Sequence, residues 1–161
     1  MDKCMLMLLV AAMGIGSMMA YNPADYKKAK SGIKNLANAD LANADLTNAY
    51  FFEADLTKAD LSHADLTGAY LVDADLSNAN LGYAKLANAN LRRAFLTNAV
   101  FYYADLTSAN LIEAHLTGAD LSCADLTGAL LEQGVFDETI CNVHTKFPSG
   151  YVCIDHKVIH Q

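Results

Sequence analysis

The hydrophobic positions of this chain recur every five residues over more than half of its length. Leu or Phe stands at every fifth position from Leu36 to Leu131, and Phe136 extends the series. From Ala39 to Ala129, an Ala lies two positions before each of them. A five-residue step would scatter the leucines around an α-helix, and it would alternate them between the two faces of a flat strand. Neither regular element accounts for the pattern.

The spacing within one unit suggests a different backbone. Residues two apart in an extended segment point the same way, so a short extended segment would turn both the Ala and the Leu inward. A two-residue bend would then carry the chain to the next wall of a tube, with the polar residues facing water or shaping the turn. The pattern therefore predicts a solenoid, whose units bury their apolar side only by stacking on neighbours.

Departures from the consensus recur every twenty residues, which predicts four units per coil. Such a coil would stack the departures as ladders roughly 4.8 Å apart, and residues 36–131 would form about five coils. The recurring departures are Tyr50 with Tyr70, Phe52 with Val72, His63 with Tyr83 and Tyr103, and Asp73 with Arg93 and Glu113.

Repeats such as ADLTNAYFFEADLTKADLSHADLTGAYLVDADL resemble the pentapeptide-repeat family. The resemblance covers residues 35–136 and implies an all-β fold, a right-handed quadrilateral parallel β-helix. We expect residues 21–34 to cap one end with a short helix that has Asn22 as N-cap and Pro23 at its first position and ends at Gly32. Residues 137–161 are expected to cap the other end, with a strand near residues 151–154.

The first twenty residues differ from the rest of the chain. Asp2 and Lys3 precede an apolar run, and small residues follow it, which is the layout of a signal peptide. Cleavage after Ala20 and cleavage after Gly16 are both open. We expect export to the periplasm or the medium with no stable membrane insertion after cleavage; the alternative is an uncleaved segment and a cytoplasmic protein.

The charge and composition of the chain narrow the range of functions to consider. The net charge of −7 among 161 residues argues against nucleic acid as a partner, because nucleic-acid binding needs a basic face. Aspartates in the repeat form rows on a filled tube with no pocket, so we interpret them as turn-shaping residues and predict neither an enzyme nor a cofactor. Arg92 and Arg93 are interpreted as ladder partners of Asp73 and Glu113 rather than as a phosphate site.

Exposed aromatic residues are the best candidates for recognition. They form two groups, interpreted as neighbouring faces of the rod, and stabilising ladders or a covering cap would explain them as well. One group contains Tyr50, Phe52, Tyr70, Val72 and Ile112, and the other contains His63, Tyr83, Tyr102 and Tyr103.

Two interpretations are open for the cysteines of the C-terminal segment, residues 137–161. A disulfide between Cys141 and Cys153 is favoured for an exported protein and would leave Cys123 unpaired. Ligand-type spacing keeps open a weaker alternative, a zinc site of Cys141, His144, Cys153 and His156.

The leading hypothesis is a non-enzymatic exported scaffold that presents a rigid surface to an unidentified protein partner, as a monomer or a homodimer. The alternative follows from the resemblance alone: some family members mimic duplex DNA and bind DNA gyrase, protecting it from quinolones or inhibiting it.

Overall fold

The structure, a computed structural model, describes residues 21–160. Helix α1 spans Pro23–Lys30, strand β1 spans Tyr151–Ile154 and strand β2 spans Lys157–His160. The repeat lies between α1 and β1 and consists of tight turns joined by single bridged residues. The predicted short extended segments are thus reduced to one bridged residue per unit. No described helix is both long enough and apolar enough to cross a membrane.

Each five-residue unit contains one β-turn. The amide of the Ala donates to the carbonyl of the Leu three residues earlier, as from Ala84 to Leu81 at 3.0 Å. The residue before that Ala has a positive φ, between +54° and +63° at every non-glycine position from Asn38 to Glu138. A positive φ at the third turn residue is the geometry of a type II turn, which favours Asn and Gly.

Twenty residues complete one coil. Parallel bridges join Asp45 to Asp65, Asp65 to Lys85 and Lys85 to Asp105, and the same spacing holds from Asn35 to Ile140, except that Asp125 bridges Lys146. Between coils, the Leu86 amide donates to the Asp105 carbonyl at 2.7 Å, and the Asp105 amide donates to Ala84 at 3.0 Å. Four units per coil create four corners, and each side chain lies against the one twenty residues away.

The interior of the solenoid is filled by aliphatic side chains. The Leu and Phe at every fifth position from Leu36 to Leu131, together with the Ala two positions before each of them from Ala54 to Ala129, are almost completely buried. A buried Leu contributes about 1.5–3 kcal/mol through the removal of its surface from water, so the columns hold the coils together. Phe136, which continues the Leu series, is only half-buried.

Helix α1 packs against the first coil. Asn22 accepts a hydrogen bond from the Ala24 amide at 2.9 Å, and Pro23 occupies the first helical position, as predicted. The helix ends at Lys30, two residues before the expected end, because Gly32 lies beyond the last turn with φ +74° and closes it. The Asn22 amide and the Asp25 carboxylate bond to the backbone of Asp40.

The chain after residue 136 leaves the repeat and returns against the last coil. Strand β1 has the predicted position, but the antiparallel strand β2 was not predicted. The two-residue loop between them, Asp155 and His156, has both φ values positive, as a type I′ hairpin turn requires. A disulfide joins Cys141, which is buried in a Leu column, to Cys153 in β1.

Candidate protein-binding surface

Four aromatic side chains define one corner of the solenoid, here called the Tyr103 corner: His63, Tyr83, Tyr102 and Tyr103. The rings of His63, Tyr83 and Tyr103 stack with centroid distances of 4.9 and 5.3 Å and nearly parallel planes. The twenty-residue ladder produces this stack because each of the three occupies the same turn position in successive coils.

Tyr102 lies beside the stack rather than in it. Its ring is perpendicular to those of Tyr103 and Tyr83, at 4.6 and 5.8 Å. One coil earlier the corresponding residue is Gly82, so no side chain lies directly beside Tyr102 in that coil. Tyr103 is half exposed, at 51%, and Tyr83 at 48%. The corner therefore presents ring edges and part of the Tyr102 ring to solvent.

The Tyr103 stack ends at a thiol. A hydrogen bond with the Cys123 side chain raises the pKa of the Tyr103 hydroxyl. Cys123 Sγ in turn accepts from Asn142 Nδ2 at 3.3 Å. Cys123 is partly exposed and carries no disulfide, as the sequence suggested.

The second aromatic group, here called the Tyr50 corner, consists of Tyr50, Phe52 and Tyr70. The rings of Tyr50 and Tyr70 stack at 5.1 Å, and Phe52 contacts both at 6.3 Å. Val72 was predicted to belong to this surface, but it is only 6% exposed, because its neighbours cover it. Ile112, also assigned to this group, is half-buried.

The two corners do not lie on neighbouring faces, which corrects the sequence-based interpretation. Residues ten apart along the repeat differ by two of the four units in a coil. Turn 52–53 and turn 62–63 therefore lie at opposite corners. One flat partner surface cannot contact both groups, so each corner is a separate candidate.

Carboxylates flank the Tyr103 corner on both sides. Each accepts a hydrogen bond from the backbone amide two residues later, as Asp65 does from Thr67 at 3.1 Å, which is the turn-shaping role expected for them. The bonds from Thr67 lower the pKa of Asp65, with Lys85 adding to the effect. These flanking columns contain Asp40, Asp60 and Asp120 on one side and Asp45, Asp65, Asp105 and Asp125 on the other.

The charges around the Tyr50 corner are mostly neutralised instead. Asp73 accepts two hydrogen bonds from Arg93, one from Nε at 2.7 Å, and this pairing lowers the pKa of Asp73. Arg92 pairs with Glu113 at 2.8 Å. Both arginines thus have the ladder partners predicted for them. Lys34 and Glu53 form a similar pair at 2.7 Å.

The disulfide uses both thiols of the alternative zinc site. Cys141 and Cys153 are bonded to each other, and His156 Nδ1 lies 3.2 Å from the Cys141 carbonyl. His144 is exposed. Among residues 21–160 no group of three or more His, Cys, Asp and Glu side chains could hold a metal ion, and the two thiols of the zinc alternative are engaged in the disulfide.

A shallow recess near the C-terminal hairpin was not predicted. It has a volume of about 420 Å³ and forms where the repeat breaks: Gly134 replaces the usual Ala, and a Cβ there would lie 2.9 Å from the Phe136 ring. The substitution of Gly for Ala two residues before a Phe is the signal that could have located it. Its lining includes Glu132, Phe136, Tyr151, Val158 and His160.

The filled coil and its ladders define the chain as a β-helical solenoid of five-residue repeats. The family model described as "Pentapeptide repeats (8 copies)" matches residues 35–68, 69–102 and 96–133. The chain belongs to the pentapeptide-repeat family, whose fold is a right-handed β-helix solenoid, and this confirms the family predicted from the sequence.

Solved structures of the same family resemble this chain. A pentapeptide repeat protein (Rfr23) from the cyanobacterium Cyanothece 51142 is 36% identical, with a TM-score of 0.58, over 58% of this chain and 64% of that one. HetL from Nostoc sp. strain PCC 7120 is 30% identical, with a TM-score of 0.32, over 65% of this chain and 60% of that one. The match thus spans about three fifths of the length of these relatives. No curated protein sequence matches the chain.

Proposed function

We propose that this protein is a non-enzymatic scaffold that binds a protein partner through the Tyr103 corner. The observation that carries the proposal is the stack of His63, Tyr83 and Tyr103, held in register by bonded coils and partly exposed. Aromatic side chains on a rigid backbone are common anchors of protein interfaces, because they bury much area while losing little conformational freedom.

The filled interior supports a binding role over catalysis. The columns of Leu and Ala occupy the inside of the coils, and the aspartates that follow an Ala in the repeat lie on the surface with turn-shaping bonds. An active site needs a pocket in which ionisable groups are desolvated and tuned, and the surface of a solenoid offers ordered rows of side chains.

We propose that the protein is exported to the periplasm or the medium. The support is the disulfide between Cys141 and Cys153, since such bonds persist in oxidising compartments. The apolar segment assigned as a signal peptide, residues 1–20, lies outside the described residues. Intact masses of the protein from exported and cytoplasmic fractions, measured before and after reduction, test the proposal. A cytoplasmic chain that retains Met1 and free thiols would contradict it.

We also propose that the repeat forms about five coils and that residues 21–34 and 137–161 act as end caps. The bonds from Asn22 and Asp25 to Asp40 support the first cap. The disulfide and the antiparallel bridge between Ile140 and Lys157 support the second. Caps of this kind keep the open ends of a solenoid from pairing with other chains.

A comparison of two double variants tests the binding function. Tyr83→Ser/Tyr103→Ser removes two rings of the Tyr103 corner, and Tyr50→Ser/Tyr70→Ser is the matched control at the opposite corner. Each variant and the native protein are immobilised and exposed to exported proteins of the source cell. The proposal predicts that a partner retained by the native protein and the control is lost by Tyr83→Ser/Tyr103→Ser, while all three proteins unfold cooperatively.

The gyrase hypothesis remains the second candidate because the solenoid and the C-terminal segment are acidic. Residues 35–161 carry 16 acidic and 6 basic side chains, a net charge of −10. Inhibition of supercoiling by the purified domain, residues 21–161, would favour this function and a cytoplasmic location. Its absence, together with a processed exported form, would favour the scaffold.

A further inference from the structure

The Tyr103 corner combines aromatic rings with an excess of negative charge. Its turn residues from Ala42 to Cys123 include no Lys or Arg. The flanking columns hold seven aspartates and two lysines, and each lysine is already paired: Lys85 with Asp65 at 3.4 Å, and Lys146 with Asp125 at 2.7 Å. The carboxylates without a lysine therefore leave the corner negatively charged.

Two flanking carboxylates close to the exposed tyrosines are not paired with a base. Asp105 follows Tyr103 by two residues. Asp120 lies in the next coil against Val100, and Val100 precedes Tyr102 by two residues. Among residues 21–160, no basic side chain forms an ion pair with Asp105 or Asp120: Lys85, one coil from Asp105, pairs with Asp65, and Lys146, which also attracts Asp105, pairs with Asp125. Their Oδ1 atoms accept from the amides two residues on, which leaves the other carboxylate oxygen of each residue available to a partner.

This arrangement matches the chemistry of a guanidinium group. Arg can lie flat on a tyrosine ring while its N–H groups donate to carboxylates, whereas the ammonium group of Lys is strongly hydrated and acts as a point charge. The Tyr50 corner differs because its turns carry guanidinium groups of their own: Arg92 and Arg93 pair with Glu113 and Asp73, and only Asp55 and Asp75 in its flanking columns form no ion pair within residues 21–160. The charge difference distinguishes the two aromatic corners.

We propose that the partner presents an arginine-rich, extended segment to the Tyr103 corner. The segment would run along the axis of the rod, with a guanidinium group against the ring of Tyr102, which stands outside the stack, others along the exposed edges of Tyr83 and Tyr103, and their N–H groups on the carboxylates of Asp105 and Asp120. This inference rests on the proposed function and adds the chemistry of the partner to it. An arginine stretch recognised in this way would bind by stacking as well as by charge.

Labelled peptides of defined sequence provide the probe. Fluorescence anisotropy measures the binding of a peptide of six Arg-Gly units, with Lys-Gly and Glu-Gly peptides of equal length as comparisons. The Arg peptide is expected to bind several-fold more tightly than the Lys peptide, and the Glu peptide is not expected to bind. The order of Arg over Lys should persist when the salt concentration rises from 0.05 to roughly 0.3 M, because stacking is screened less than charge attraction.

Two pairs of Asp→Asn changes separate local recognition from overall charge. Asp105→Asn/Asp120→Asn removes charge at the corner, and Asp55→Asn/Asp75→Asn removes the same charge on another face. Asn preserves the turn, because Asn90 already accepts from the Arg92 amide at 3.2 Å in this chain. We expect the first pair of changes to weaken binding of the Arg peptide roughly threefold or more, and the second pair to change that binding little.

The tyrosine variants complete the test. Tyr83→Ser/Tyr103→Ser is expected to weaken binding of the Arg peptide roughly tenfold, and Tyr50→Ser/Tyr70→Ser is expected to have little effect on that binding. Equal binding of the Arg and Lys peptides, or equal effects of both Asp pairs, would overturn the proposal in favour of general charge attraction. Failure of the Arg peptide to bind, with Tyr103-dependent capture of a natural partner intact, would reject the arginine-rich partner and leave the scaffold function standing.

Discussion

At the residue scale, the third position of each turn is the most restricted site in the repeat. Between residues 38 and 138 it is held by Asn, Gly and a range of unbranched side chains, but never by Val, Ile or Thr. The position just before it accepts them, as Val72 and Ile112 show. Positive φ explains the difference, because a branched Cβ crowds the backbone in the left-handed region. Consequently His63, Tyr83 and Tyr103 are tolerated there.

A substitution at Asn88 tests this restriction. Asn88 has φ +58° and an exposed side chain, so Asn88→Val should lower the free energy of unfolding by about 1–2 kcal/mol through backbone strain. Asn88→Gly should be close to neutral. Ala87→Val, at the preceding turn position, is the matched control. Denaturant unfolding measures all three, and equal losses for Asn88→Val and Ala87→Val would refute the backbone explanation.

The turn carboxylates predict how stability depends on pH. The Thr47 hydroxyl and amide lower the pKa of Asp45, and the corresponding bonds lower that of Asp65, below the ordinary value of 3.8. A depressed folded-state pKa stabilises the protein above pH 3.8, and this contribution is lost as the pH falls through the lower folded value. Melting temperatures should therefore be nearly constant from pH 7 to 5 and fall below pH 4.

The double variant Asp45→Asn/Asp65→Asn should make that acid-induced fall shallower. The side-chain amide oxygens of the two asparagines still accept the turn hydrogen bonds, but a side-chain amide does not titrate. Melting curves of the variant and the native protein, recorded in steps from pH 7 to 2, give the comparison. Two curves that fall in parallel would show that these carboxylates do not contribute to the acid sensitivity.

At the element scale, the five-residue unit was predictable because one local pattern repeats. The spacing of Ala and Leu identified the inward side, and the departures at twenty residues identified the ladders, both without tertiary information. The burial of Val72 depends on its neighbours in adjacent coils, and strand β2 depends on a turn of Asp155 and His156 rather than the usual Asn-Gly. Such features depend on contacts that a linear pattern does not contain.

The C-terminal hairpin should be held mainly by its disulfide. β1 and β2 pair with each other, and Ile140 forms an antiparallel bridge with Lys157. The disulfide closes the loop between Cys141 and Cys153, which are 12 residues apart. Closing a loop of that length stabilises a protein by about 3 kcal/mol, so Cys153→Ser should release the hairpin while the coils remain folded. Limited proteolysis should then cut after residue 136 first. Cys123→Ser is the control, and equal protection of both variants would contradict the prediction.

At the scale of the whole molecule, charge is distributed unevenly along the chain. Residues 21–34 carry four basic side chains and one acidic one, whereas residues 35–161 have a net charge of −10. Overall charge alone would therefore attract a basic partner to much of the rod. The choice of one corner must come from the rings and the pairing of the local charges, which is why the controls at the Tyr50 corner decide the proposal.

The twenty-residue coil makes a last prediction about register, read from engineered cysteines in a Cys123→Ser background. His63→Cys/Tyr83→Cys should cross-link on oxidation, because the two positions lie one coil apart, about 4.8 Å. His63→Cys/Tyr103→Cys should not cross-link, because two coils separate the two positions.

Deleting residues 76–95 joins Asp75 to Leu96, so the Ala and Leu pattern continues unbroken and Tyr103 moves into the place of Tyr83.

In that shortened chain His63→Cys/Tyr103→Cys should now cross-link, detected as a loss of two mass units that reduction reverses. Deleting residues 76–90 also keeps the five-residue period, but it rotates every later unit by one corner and should abolish the cross-link. Both deletions should unfold at lower temperature than the native chain, because each removes most or all of one coil of buried Leu. A cross-link in both shortened chains, or in neither while both remain folded, would show that the ladders are not set by a twenty-residue coil.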